Sequence, residues 1–288
     1  MKRLLGALLL LPLAALGGDR IVLCGGSEVF MVDSADIPPA KIWSWRAKDH
    51  PEIPAALTKA FATTDDCKPL ESGKRLLVCS SSGGCALLEL PSGKALWSAK
   101  VPSAHSIEAL PRERILVAAS VGWDKLVLFD RNHGDKILWD TPMHSAHGLV
   151  WDDSRKRLYA LGFKELRTYS LKDWESDMPS LTLDSTVPLP DDDGHDFRPV
   201  PKSADIVFST ASHVWLFDRD KGSIRSHPEW ADRAHVKCID VHPASGRVLM
   251  NQATGGNWWS DTFQLFNPAA SVKLEGEILY KGRWLVEP

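Results

Sequence analysis

One frame recurs along this chain about every 40 residues, the period of propeller blades. A polar residue, often histidine, stands a fixed distance before a turn, and a short apolar strand follows. The frame is seen in His105-Ser-Ile-Glu-Ala-Leu-Pro-Arg-Glu-Arg-Ile-Leu, His147-Gly-Leu-Val-Trp-Asp-Asp-Ser-Arg-Lys-Arg-Leu, His195-Asp-Phe-Arg-Pro-Val-Pro-Lys-Ser-Ala-Asp-Ile-Val and Lys237-Cys-Ile-Asp-Val-His-Pro-Ala-Ser-Gly-Arg-Val. Asp66-Cys-Lys-Pro-Leu-Glu-Ser-Gly-Lys-Arg-Leu-Leu fits it as well. A unit that repeats at this spacing cannot bury its apolar face alone and must stack on its neighbours.

Aligning the copies predicts a four-stranded antiparallel unit. Second strands read Arg20-Ile-Val-Leu-Cys, Arg75-Leu-Leu-Val-Cys, Arg114-Ile-Leu-Val-Ala, Arg157-Leu-Tyr-Ala-Leu, Asp205-Ile-Val-Phe-Ser and Arg247-Val-Leu-Met-Asn. Third strands such as Leu126-Val-Leu-Phe-Asp and Val214-Trp-Leu-Phe-Asp follow, then fourth strands such as Ala95-Leu-Trp-Ser. Runs this short, rich in Val, Ile, Leu and aromatics and bounded by Gly, Asp, Asn or Pro, are strands. Helical periodicity is confined to residues 54–61. Six copies arranged radially give an all-β fold, a six-bladed β-propeller of WD-repeat-like type, which leaves no long strand edge open. The first copy starts at Arg20 without an opening strand. The tail, residues 278–286, is expected to supply that strand and close the ring; the alternative is that it merely ends the sixth copy. Residues 49–65 and 172–193 are expected to be loop insertions.

The 288-residue chain opens with Lys2 and Arg3, an apolar run over residues 4–16, and Ala15-Leu-Gly17. This is the pattern of a secretory signal peptide, and the run is shorter than the about 20 residues that span a bilayer. A short membrane anchor is the alternative. The expected organisation is a signal peptide over 1–17 and one propeller domain over 18–288, exported to the periplasm or secreted, with no membrane span in the mature chain. Net charge is −3 with no basic stripe, which argues against a nucleic-acid partner. Of the five cysteines, Cys79 and Cys85 flank a Ser/Gly turn and read equally as a disulfide across a hairpin or as two buried thiols.

In a propeller the innermost strands gather at one axis. The aligned positions are Asp66, His105, His147, Asp196 and Lys237, with His195 and His235 beside them, and Lys281 or Arg283 near the sixth place. Glu108 and Arg198 lie further along their strands. Imidazoles with a carboxylate suit a divalent cation such as manganese, zinc or calcium, and the expected ligands are His105, His147, His195 and Asp196. The same set suits acid–base work on a sugar, with His105, His147 and Lys237 as the catalytic candidates. Asp66, Glu108, Arg198 and Arg283, together with the Trp258-Trp259 pair as a stacking platform, are the expected substrate contacts. Each has a structural alternative. The histidines could tie neighbouring blades together, the aspartates could accept backbone N–H bonds or pair with Lys237 and Arg283, and the tryptophans could pack. Asp191-Asp-Asp193 reads as a solvated acidic turn, with calcium as its alternative. No G-x-S-x-G elbow, P-loop, dinucleotide fingerprint or H-E-x-x-H is present.

Ser-Ala-His105-Ser-Ile-Glu, Ser-Ala-His147-Gly-Leu-Val-Trp-Asp, Asp-Gly-His195-Asp-Phe-Arg-Pro-Val and His235-Val-Lys237, with Trp-Trp-Ser-Asp261, resemble a family of exported bacterial six-bladed propellers of uncharacterised function. The resemblance spans nearly the whole mature chain and implies fold and export. A looser similarity is to oligogalacturonate lyases, propellers with a histidine-held metal at the hub that cleave uronate-containing oligomers by β-elimination. It implies a hub site rather than particular catalytic roles. The expected function is a carbohydrate-active propeller, a metal-assisted lyase on acidic sugars taking a small-molecule or oligosaccharide ligand. The competing expectation is a non-catalytic propeller that binds a protein or glycan partner.

Overall fold

A computed structural model describes residues 19–286. The expected signal peptide, 1–17, lies outside the described residues. The described chain forms six four-stranded antiparallel sheets, each a meander from an innermost to an outermost strand. The innermost strands of blades 2 to 6 are Thr64–Leu70, Ala104–Leu110, Gly148–Asp152, Phe197–Pro199 and Val236–Val241. Blade 1 takes its innermost strand, Leu279–Leu285, from the C-terminal end of the chain, paired antiparallel with Arg20–Gly25. The ring therefore closes as the missing first strand of copy one requires. Each innermost strand touches those of the blades before and after it.

The core is divided in the same way. Six clusters of buried side chains sit one at each interface between neighbouring blades. The fourth-strand tryptophans belong to this packing: Trp97 meets Phe129 of the next blade edge-on at 5.4 Å, and Trp45 meets Phe61 at 5.3 Å. Among the described residues helix is limited to short 3₁₀ turns, among them Ala47–Asp49 and Thr58–Phe61. The second expected loop, 172–193, is corrected: it holds the nine-residue outermost strand of blade 4, Ser180–Pro188. Most of that strand is exposed, so no apolar alternation marks it. All five cysteines are buried thiols, with Cys79 directly opposite Cys85 in register.

Candidate functional site

Every innermost strand begins with the same irregularity. In blade 2, Thr64 faces Ser80 and Asp66 faces Cys79, so Asp65 is an extra residue. The same count leaves His105 extra in blade 3, Lys237 in blade 6 and Tyr280 in blade 1. In blade 4 His147 N–H donates to the Leu161 carbonyl while Gly148 also pairs with Leu161. In blade 5 His195 N–H donates to Ser209, whose own N–H donates to Asp196. These are β-bulges, which re-aim a side chain at the cost of one unpaired residue. Their six side chains form the mouth of the hub: Asp65, His105, His147, His195, Lys237 and Tyr280. The positions aligned from sequence as Asp66 and Asp196 are therefore one residue too late, and in a strand one residue exchanges faces.

The mouth opens into a cavity of about 310 Å³, lined by Thr63, Asp65, Ser81, His105, His147, His195, Lys237, Trp258 and Tyr280. The volume is at the small end of the roughly 300–1,000 Å³ usual for ligand pockets. A hollow of about 580 Å³ between Ser27 and Ala62 is larger, but its charged lining is Arg46, Lys48 and Lys59, with no carboxylate or imidazole. Trp258 is 43% exposed at the rim and meets Tyr280 edge-on at 5.7 Å. Trp259, expected beside it, does not line the cavity.

The three histidines are held alike. Two residues before each, Ser103, Ser145 and Asp193 adopt left-handed φ values of 57°, 46° and 67°. Their carbonyls accept from His105, His147 and His195 Nδ1 at 2.8, 3.0 and 2.9 Å. A carbonyl only accepts, so the proton stands on Nδ1 and each Nε2 keeps a lone pair when the ring is neutral. The rings lie side by side, His105 to His147 at 4.3 Å and His147 to His195 at 4.8 Å. Burial, with His105 and His195 beside it, pulls His147 well below the usual imidazole range. Burial and Lys237 pull His195 down to about 3. Lys237 Nζ donates to His195 Nε2 at 2.7 Å, and burial, with Lys281 nearby, draws the ammonium down to about 8 against the opposing pull of Asp193. His105 differs, with Asp65 Oδ1 3.6 Å from its Nε2. Asp65 accepts from Ser81 N–H, and burial raises its carboxyl.

A second layer lies beneath the mouth. Arg283 Nη2 reaches Asp196 Oδ1 at 2.7 Å and Asp66 Oδ1 at 3.0 Å, and Nη1 reaches Asp196 Oδ2 at 3.0 Å. Lys281 stands 3.6 Å from Asp196, Lys68 is 3.0 Å from Glu108, and Arg198 is 2.9 Å from Asp240. Four carboxylates (Asp66, Asp196, Glu108, Asp240) meet four cations (Lys68, Lys281, Arg198, Arg283), so the layer is self-neutralising. Burial raises Asp66, but Arg283, Lys68 and Lys281 outweigh it and hold the carboxyl well below the usual carboxylate range. Arg283 is 1% exposed and Asp66 fully buried. Asp66, Glu108, Arg198 and Arg283, expected as substrate contacts, lie in this layer. Their charges are spent on one another, and none of the four lines the cavity.

The expected cation ligands do not fit a metal. Asp196 has Oδ1 on Arg283 and Oδ2 on both Arg283 and Ile239 N–H, and His195 Nε2 faces Lys237. Among the described residues no three His, Cys, Asp or Glu side chains form a group that could hold a metal ion. In the acidic turn Asp192 is exposed and pairs with Lys164, while the partly exposed Asp191 accepts through Oδ2 from Thr210, His213 and Trp215. Of the residues expected at a site, His105, His147, His195, Lys237 and Trp258 come together. Asp65, Tyr280, Thr63 and Ser81 complete the cavity and were missed. Asp65 adjoins the aspartate that was chosen, and only the pairing register distinguishes the two.

No helix among the described residues is long and apolar enough to cross a membrane. No curated protein matches the chain. Among solved structures it is similar to a functionally unknown protein from Desulfotomaculum acetoxidans DSM 771, at 11% identity and a TM-score of 0.57, over 91% of this chain and 81% of that one. That likeness bears on the fold alone. The profile of a family of unknown function, DUF6528, matches residues 19–288, and the chain belongs to that family.

Proposed function

We propose that the hub mouth binds a small acidic sugar and catalyses β-elimination on it, in a protein exported by way of residues 1–17. The observation that carries this reading is the ring of six bulged side chains around one ligand-sized cavity, above a charge-balanced floor. Neutral His147 accepts from a sugar hydroxyl, and the exposed face of Trp258 offers stacking. Lys237 and His105 occupy contrasting surroundings, which is how an acid and a base are separated within one site. The amine of Lys237 takes the proton α to the carboxylate. The C–H electron pair becomes the new C=C bond, the C–O bond to the leaving sugar breaks, and His105, backed by Asp65, returns a proton to the departing oxygen. No step is assigned to a divalent cation, because Asp196 is engaged by Arg283 and His195 Nε2 by Lys237.

The test is incubation with galacturonate oligomers while recording the ultraviolet absorbance of the unsaturated product. Elimination needs the free amine of Lys237, so the rising limb of the pH–rate profile should climb toward about 8. Lys237→Ala should lower it by roughly 10²–10⁴-fold, the usual worth of a general base. Saturable binding without absorbance would favour the non-catalytic propeller. Absence of both would end the reading of the mouth as an acidic-sugar site.

A further inference from the structure

Among the hub cations of the described residues, Lys237 is singular. Lys68, Lys281, Arg198 and Arg283 each face a carboxylate. Lys237 Nζ is instead directed at the Nε2 of His195, and it lies in the wall of the cavity rather than in the plug beneath. The arrangement is fixed from both sides. The bulge holds Lys237 inward, with His235 in the left-handed region at φ 58° two residues before it, and the Asp193 carbonyl holds the His195 tautomer. An amine in a small cavity with a lone-pair acceptor at 2.7 Å is equipped for more than charge.

We propose that Lys237 is a nucleophile that forms an imine with the carbonyl group of a small acidic aldehyde or keto acid seated in the hub mouth. The nitrogen lone pair forms the C–N bond, and the carbonyl π pair moves to oxygen, which takes up a proton. The carbinolamine nitrogen gives its surplus proton to His195 Nε2. The nitrogen lone pair then expels the oxygen as water, protonated from that imidazolium. The proton first taken up by the oxygen comes from solvent, and one proton stays on nitrogen. Amine, carbonyl and proton thus become a protonated imine and water, with no oxidant or reductant. Burial supports this by drawing the ammonium down to about 8, which leaves part of the lysine as free amine near neutral pH. The inference rests on the reading of the mouth as a ligand site and not on elimination.

The full chain is treated with glyoxylate and cyanoborohydride at neutral pH, and the reduced adduct, a carboxymethyl group on lysine nitrogen, is located by peptide mapping. Lys237 should be labelled about tenfold faster than the exposed Lys156, Lys164 and Lys221. Lys237→Arg should lose that adduct and leave the others unchanged. Labelling of the exposed lysines as fast as Lys237, or no labelling of Lys237, overturns the inference. Trapping at Lys237 without uronate elimination sinks the lyase and keeps the imine, whereas elimination without trapping does the reverse.

Discussion

Arg283 illustrates how the hub divides its charges. Its guanidinium bridges Asp66 and Asp196, carboxylates from blades 2 and 5 separated by 130 residues of chain, and is itself donated from blade 1. Losing it would leave two buried carboxylates facing each other with Lys68 and Lys281 at 3.6 Å as their remaining cations. Breaking a buried pair by removing one partner costs about 3–5 kcal/mol. Arg283→Met should therefore lower the urea midpoint by that equivalent, and an unchanged midpoint would show that the plug is not structural. The pairing of Arg283 with the aspartates was one of two readings open from sequence, because a charge is visible in a sequence and the geometry that chooses its partner is not. The histidines were legible because they recur in the same frame, and recurrence survives without knowledge of contacts.

At the scale of the strand, the β-bulge converts a repeat into a site. Strand boundaries were legible wherever one face is buried, since burial imposes an apolar pattern. The exposed Ser180–Pro188 strand carries no such pattern, so its sequence reads as loop. The bulge was not legible either, because an extra residue exists only relative to the partner strand. Asp65 and Tyr280 were missed for that reason. Gly148 tests how closely the innermost strands pack. A Cβ there would stand 2.4 Å from Phe197 Cβ of the next blade and 3.1 Å from Leu161 Cβ. Overpacking of this kind costs about 1–3 kcal/mol. Gly148→Ala should reduce stability by that amount in chemical denaturation, and a neutral effect would mean that blades 4 and 5 are less tightly apposed.

For the whole molecule, closure of the ring by Leu279–Leu285 does two things together. It seals the first blade's open edge, and it delivers Tyr280 to the mouth and Lys281 and Arg283 to the plug. Closure was legible because the first copy lacked a strand and the tail supplied one. The result is a hub of two storeys, a polar mouth left available to a ligand and a neutralised floor that is not. The most direct test of that division is a crystal structure of the protein soaked with galacturonate. The sugar is expected in the cavity, within hydrogen-bond reach of Lys237 and His195 and beside Trp258. Galacturonate bound instead in the floor beside Glu108 and Arg198, with only solvent in the mouth, would contradict the account.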